Sequence, residues 1–390
     1  MSRTSHAWTR PPEHWATGRI HGALIVATLL LGLVPPKCVQ AQFTFGDLVI
    51  TAGASAEGYQ GNLPAVSVPV IDSTEFVSAI VGEVAVRADA TYRIADRGAF
   101  LLSFDGGLRQ FSAHGFELRD YAPREWVGTL DASYQLPVSE RARLGLRTRL
   151  RGREVEDRPP MPLFLQPGYV SGDGGISLEV DGPRAVVYDT ELSASKGNFF
   201  APRFAPQVRL LDRDGIRWEV GATLTDGEVT NLRLFAAVEG SRYPKQGTFA
   251  PEDPYRKDRT FYAGASWTHQ GRYLVQVELD GRANRSNSNR PEYDAFTLRG
   301  LFSTSIPGNV ALALYGAVTG KQYLHDSSFA RLLPGEEANN ASLAYVSFSR
   351  AIARNVAGTL RVGWTRAESE IGGAYFQRFG GSFLLQYRPL

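Results

Sequence analysis

Residues 143–153 read Arg-Leu-Gly-Leu-Arg-Thr-Arg-Leu-Arg-Gly-Arg. Arg143, Arg147, Arg149, Arg151 and Arg153 share one parity; Leu144, Leu146, Thr148 and Leu150 share the other. An extended chain points successive side chains to opposite faces, so this stretch is a ribbon with one basic and one apolar side. A helix would mix the two. The same period of two, with less charge, returns along the chain from position 47 to its last residues. Whatever this chain folds into must give each strand one polar and one apolar environment.

The other segments show the rule clearly. In 83–95, Val84, Val86, Ala88, Ala90, Tyr92 and Ile94 oppose Glu83, Arg87, Asp89, Thr91 and Arg93. In 272–283, Tyr273, Val275, Val277, Leu279 and Gly281 oppose Arg272, Gln276, Glu278, Asp280 and Arg282. Ile216, Trp218, Val220 and Leu224 oppose Arg217, Glu219 and Thr223, and Phe296, Leu298 and Phe302 oppose Thr297, Arg299 and Ser303. The pattern is weakest in 309–323 and 340–350, where Ala and Gly blur both faces.

Connections between segments alternate in length. Short ones fall at Asp96–Gly98, Pro137–Arg141, Asp181–Arg184, Thr225–Thr230, His269–Gly271, Ile306–Asn309 and Ala351–Asn355. Long ones fall near 62–75, 112–124, 154–171, 194–213, 243–258, 285–292, 324–339 and 368–375. Tight turns on one side and longer loops on the other are the signature of a transmembrane up-and-down β-barrel, apolar outside and polar inside. Treating 207–212 as a strand of its own breaks the alternation and leaves an odd count. Placing 194–213 in one loop restores it, which predicts 16 strands, with 14 and 18 as the neighbouring counts.

The first 41 residues read differently. Arg3, Arg10 and Arg19 give a basic start, 23–34 are apolar, and Val39-Gln40-Ala41 resembles a cleavage site. That is the layout of a secretory signal peptide, and its apolar run falls short of the roughly 20 residues of a spanning helix. The expected division is therefore 1–41 as signal and 42–390 as barrel. Cys38, the only cysteine, lies before the site, next to Lys37 rather than a small residue, which argues against lipid attachment. Cleavage leaves no disulfide or thiol chemistry. The formal charge of +2 is largely the signal's; the remainder is nearly balanced and offers no basic field for nucleic acid.

At this level the chain, over about residues 42–390, resembles the outer-membrane β-barrel class and, in size and strand number, the 16-stranded porins. The resemblance is architectural and carries over no site residues. It implies outer-membrane lipid as surroundings and the barrel assembly machinery as a partner. An aromatic residue often ends the last strand of such barrels; here Phe379, Gly381, Phe383, Leu385 and Tyr387 alternate, followed by Arg388-Pro389-Leu390. It also implies a third external loop that often folds inward against a basic wall. The matching loop, 154–171, opens with Glu154, Glu156 and Asp157 and continues through an apolar stretch, so it reads either as a constriction or as an external loop packed on its neighbours.

Membrane energetics orient the arginine ladder. An arginine facing lipid at mid-membrane costs roughly 2–4 kcal/mol. Three central ones would cost on the order of 6–12 kcal/mol, comparable to the stability of a whole domain. The ladder therefore faces the lumen, with Glu83, Arg87, Asp89, Arg93, Gln276, Glu278, Asp280 and Arg282 as further lumen-facing groups. Either it forms an electropositive wall that favours anions, or its arginines pair with acids on neighbouring strands and brace the interior.

Catalytic and metal signals are thin. His114, His269 and His325 are scattered, and His325-Asp326-Ser327-Ser328 has triad residue types without the geometry of a triad. No cluster has metal-ligand spacing, and no cofactor is expected. The leading functional reading is a passive channel for small hydrophilic solutes with mild anion preference. A structural or adhesive surface barrel, or an envelope-complex partner, is the alternative, and a membrane-embedded hydrolase the second. The Ala/Gly-rich faces at 309–323 and 340–350 would suit a trimer contact.

Overall fold

The computed structural model describes residues 41–61, 77–94, 98–114, 124–156, 167–201, 206–227, 229–247, 255–288, 292–325, 341–368 and 375–389. Sixteen strands follow one another: β1 Ala41–Gly61, β2 Val77–Ile94, β3 Ala99–His114, β4 Arg124–Ser139, β5 Ala142–Glu156, β6 Tyr169–Asp181, β7 Val186–Phe199, β8 Arg213–Asp226, β9 Thr230–Gly247, β10 Tyr255–Gln270, β11 Leu274–Ser286, β12 Tyr293–Ile306, β13 Val310–Tyr323, β14 Ala341–Ala353, β15 Val356–Glu368 and β16 Tyr375–Tyr387. Each pairs with its sequence neighbours, and β1 closes on β16 from Ile50↔Tyr387 to Gly61↔Phe376. The pairing is antiparallel, so the sheet is a closed up-and-down barrel with no free edge.

The outer face suits an apolar, lipid-like surrounding. Ile80, Val84, Phe104, Trp126, Ile176, Leu192, Ile216, Trp218, Leu234, Phe261, Leu279, Phe296, Val318, Leu360, Val362 and Phe383 are all exposed. They form a continuous belt around the barrel, far beyond the patches a water-soluble monomer tolerates. Backbone groups within the wall are satisfied strand to strand, which the hydrocarbon requires. The fold is that of an outer-membrane barrel, and that membrane is where it resides. In such barrels the end bearing the short turns, the start of β1 and the end of β16 faces the periplasm.

Turn chemistry at that end is tight. Between β6 and β7, Arg184 and Ala185 take φ of 56° and 57°, and the Val186 N–H donates to the Pro183 carbonyl at 3.3 Å. Two consecutive left-handed residues match the right-handed twist of the flanking strands. Asn309, with φ 55°, serves the β12–β13 turn.

Several long connections begin later than the sequence suggests, β9 for instance running to Gly247. Segment 194–213 is not all loop: β7 continues to Phe199, and a 3-10 helix at Pro206–Leu211 leads into β8. Val208 and Leu211 of that helix are buried against Phe199 and Ala201. Asp212 accepts from the Phe199 N–H at 2.6 Å and from Lys245 Nζ at 2.5 Å, which ties the connection to β7 and β9. Likewise β5 runs through Glu156, because its ladder with β4 continues to Arg124↔Glu156. On β13 and β14, the blurred strands, outward Gly316 and Ala344 join Gly300 in a shallow apolar depression of about 660 Å³ rimmed by Val277, Leu314, Trp364 and Phe379.

Candidate functional site

The candidate site is the lumenal wall around β5. Register places each ladder arginine between defined neighbours. Arg143 lies between Pro137 and Glu179, Arg147 between Ser133 and Gly175, Arg149 between Asp131 and Asp173, Arg151 between Thr129 and Ser171, and Arg153 between Val127 and Tyr169. Directly paired residues share a face, so these neighbours point into the lumen with the arginines. The opposite parity carries exposed Trp126 and Leu146 of the outer belt.

That register sorts the ladder into two kinds. Arg149 is ion-paired to Asp131. Arg143 contacts Glu179 at 3.3 Å and Asp181 at 3.0 Å. Arg153, 7% exposed, donates from Nε to Glu125 at 2.6 Å, while both of its terminal nitrogens are buried without a hydrogen-bond partner. Arg147 and Arg151 carry no ion pair among the described residues, and both are exposed. The reason is local: serine, glycine and threonine flank them on both strands, and none of these brings a charge. A long cation over small neutral neighbours reaches solvent, so the lumen beside β5 holds water-accessible space.

Elsewhere the wall is largely self-neutralising. Above β5, Glu57 receives Arg109 at 2.5 Å and Arg378 at 3.6 Å, with Ser55 and Tyr59 hydroxyls donating to the same carboxylate. Arg109 also reaches Glu83 at 3.5 Å and Glu125 at 3.4 Å, so this network runs from β16 through β1, β2, β3 and β4 to Arg153 on β5. A second network links Arg217 to Glu219 at 2.6 Å and Arg233 to Asp189 and Glu219 at 2.8 and 2.9 Å. A third holds Arg299 on Glu278 and Asp280, with Arg282 3.6 Å from Asp280. Arg217 and Arg282 also lie over the Tyr262 ring. Near the loops, buried Arg256 and Asp258 pair at 2.7 Å.

The remaining lumen-facing positions fall into place around these networks. Arg87 pairs with Asp89 at 3.3 Å on β2, and Arg93 is exposed close to the periplasmic end of that strand. Gln276 sits opposite Thr268 and Leu301. Glu191 of β7 leans over Gly175, whose added Cβ would meet its Oε1 at 3.0 Å, so it is the acid turned toward the Arg147 row. Arg361 on β15 stacks over Tyr345 at 4.9 Å.

The acids at the start of the third loop lie elsewhere. Glu154 and Glu156 belong to β5 and share the parity of outward Trp126, their register partners being Trp126 and Arg124. Glu154 points away from the lumen because the strand outruns the expected loop start. Asp157 lies outside the described residues. The acids that do meet the ladder come from adjoining strands: Asp131 and Glu125 on β4, Glu179 and Asp181 on β6. Parity assigns these residues to the lumen, but only the register between strands shows which arginine each one meets.

Among the described residues the histidines do not assemble into a site. His269 contacts Thr230 at 3.0 Å and stacks on Trp267, and His325 contacts Glu292 at 3.2 Å. His114 ends β3, and Asp326 to Ser328 lie outside the described residues. No group of three His, Cys, Asp or Glu suited to a metal occurs among the described residues.

No protein-family model and no curated protein matches this sequence. Solved structures similar to it are barrels of outer membranes. The Pseudomonas putida toluene transporter TodX is 8% identical, over 94% of this chain and 93% of its own, with a TM-score of 0.40. Pseudomonas aeruginosa OccD3 is 10% identical over 92% and 96%, with a TM-score of 0.38. The loop-deleted OmpT of Vibrio cholerae, an outer membrane protein, is 9% identical over 88% and 99%, with a TM-score of 0.40.

Proposed function

We propose that the barrel is a passive diffusion channel for small hydrophilic solutes with a mild preference for anions, its chain exported by a signal at 1–41 and inserted by the barrel assembly machinery. The observation that carries this reading is the pair Arg147 and Arg151: exposed in the lumen, flanked by Ser133, Gly175, Thr129 and Ser171, and without an ion pair among the described residues. Charge on a solvated wall acts on a passing ion at a distance. At about 8 Å in water one unit charge contributes about 0.5 kcal/mol. Two contribute about 1 kcal/mol, or about a five-fold bias, before salt screening, whose length is about 10 Å at 0.1 M. Neutralised pairs elsewhere on the wall contribute little to such a bias, and selectivity of this kind needs no covalent chemistry.

The test is planar-bilayer recording of purified barrel in dilute KCl. Steady conductance with a reversal potential favouring chloride is expected. Silence across folded preparations sinks the channel reading and leaves a structural or adhesive barrel. Conductance with cation preference removes the role given to the arginines.

A further inference from the structure

The outer face carries a second basic region that the lumen does not explain. Just above the apolar belt on β9, β10 and β11, Arg242, Lys257, Arg259 and Arg285 share the parity of the exposed belt residues Leu234, Phe261 and Leu279, so they point outward toward the membrane rim. The register sets cation against cation between β9, β10 and β11: Arg242 opposes Lys257, with Asp214 on its β8 side, and Arg259 opposes Arg285. Like charges directly opposite each other destabilise a sheet. Arg285 is partly compensated by Asp294 at 2.9 Å. Arg242 lies over the Tyr255 ring at 5.1 Å, and Arg242, Lys257 and Arg259 have no ion pair among the described residues. Between them Gly240, opposite Arg259, leaves open space where a side chain would stand. Across the barrel the rim on β15 and β16 is balanced instead, with Arg366 paired to Glu368 and Trp364 donating to Gln377.

We infer that this rim binds the phosphorylated headgroup of an outer-leaflet lipid. A headgroup with two phosphates matches cations on two opposed cross-strand pairs, seats over Gly240, and leaves its acyl chains to run down the belt past Phe261 and Leu279. Facing cations cost stability in the free barrel, and a bridging polyanion removes that cost. Basic clusters at a membrane surface attract anionic headgroups in this way, and Arg adds bidentate bonds to phosphate. The site lies on the opposite face of the wall from the lumen, so it stands or falls independently of the channel.

The experiment is native mass spectrometry of the refolded full barrel in detergent, titrated with bisphosphorylated lipid A. One lipid bound per barrel is expected. The Arg242→Gln/Lys257→Gln/Arg259→Gln variant should weaken binding at least about ten-fold, and lipid A stripped of its phosphates should bind the wild type as weakly. A Lys257→Arg variant, which keeps the charge, should bind normally, and the retained heat-modifiable mobility of each variant on gels checks folding. Equal binding by the triple variant, or equal binding of the phosphate-free lipid, overturns the inference.

Discussion

The inner wall at β5 and the outer rim at β9–β11 are both rich in arginine, yet their registers treat charge in opposite ways. On the inner wall an arginine usually meets an acid on the next strand, as Arg149 meets Asp131 and Arg143 meets Glu179. On the rim, cation faces cation, as Arg259 faces Arg285. In the lumen the acids of adjoining strands are already in place, so most lumenal charge serves bracing. On β5 two positions escape this rule. Arg147 and Arg151 sit over Ser, Gly and Thr, and they remain available to a passing solute. Counting arginines by parity therefore overstates the field of the wall; what their neighbours carry decides it.

The largest expected effect breaks the bracing half of the comparison. Glu125 is buried and receives both Arg153 and Arg109. Glu125→Gln leaves the buried Arg153 guanidinium without its anion and should cost about 3 kcal/mol. Urea unfolding in lipid checks this, and a loss below about 1 kcal/mol would mean that the network does not brace the wall. The double change Arg147→Gln/Arg151→Gln should alter stability by less than about 0.5 kcal/mol while removing about a five-fold anion bias. If it unfolds the barrel, the division between bracing and free arginines is wrong.

Smaller effects sharpen the same contrast. Glu191 leans over Gly175 toward the Arg147 row, so Glu191→Gln should raise anion preference about two-fold in dilute salt; an unchanged preference would place Glu191 outside the ion path. Arg143 is 46% exposed on its side chain and paired near the periplasmic end. Arg143→Gln should change stability by no more than about 0.5 kcal/mol, as exposed pairs do, and equilibrium unfolding of the variant reads it.

Most of the barrel was legible in the sequence because a spanning strand obeys two strict constraints. Its apolar parity must meet lipid, and arginine is too costly there, so 143–153 had one orientation open to it. Turn signals and the alternation of short and long connections then yielded sixteen strands. Strand ends were less legible. Beyond the membrane nothing penalises a strand that continues, so β5 carried Glu154 onto the outer face and β7 reached Phe199. Which acid meets which arginine was not legible at all, since parity sets the face and only register sets the partner. A one-residue slip between β4 and β5 would have moved Asp131 away from Arg149.

The most direct test compares reversal potentials of the wild type and the Arg147→Gln/Arg151→Gln variant in a bilayer under a KCl gradient at low ionic strength. The wild type should favour chloride, and the variant should lose about five-fold of that preference with its conductance retained. Equal reversal potentials for the two proteins, or a wild type that conducts nothing, would contradict the assignment of these two arginines to an open anion-favouring path.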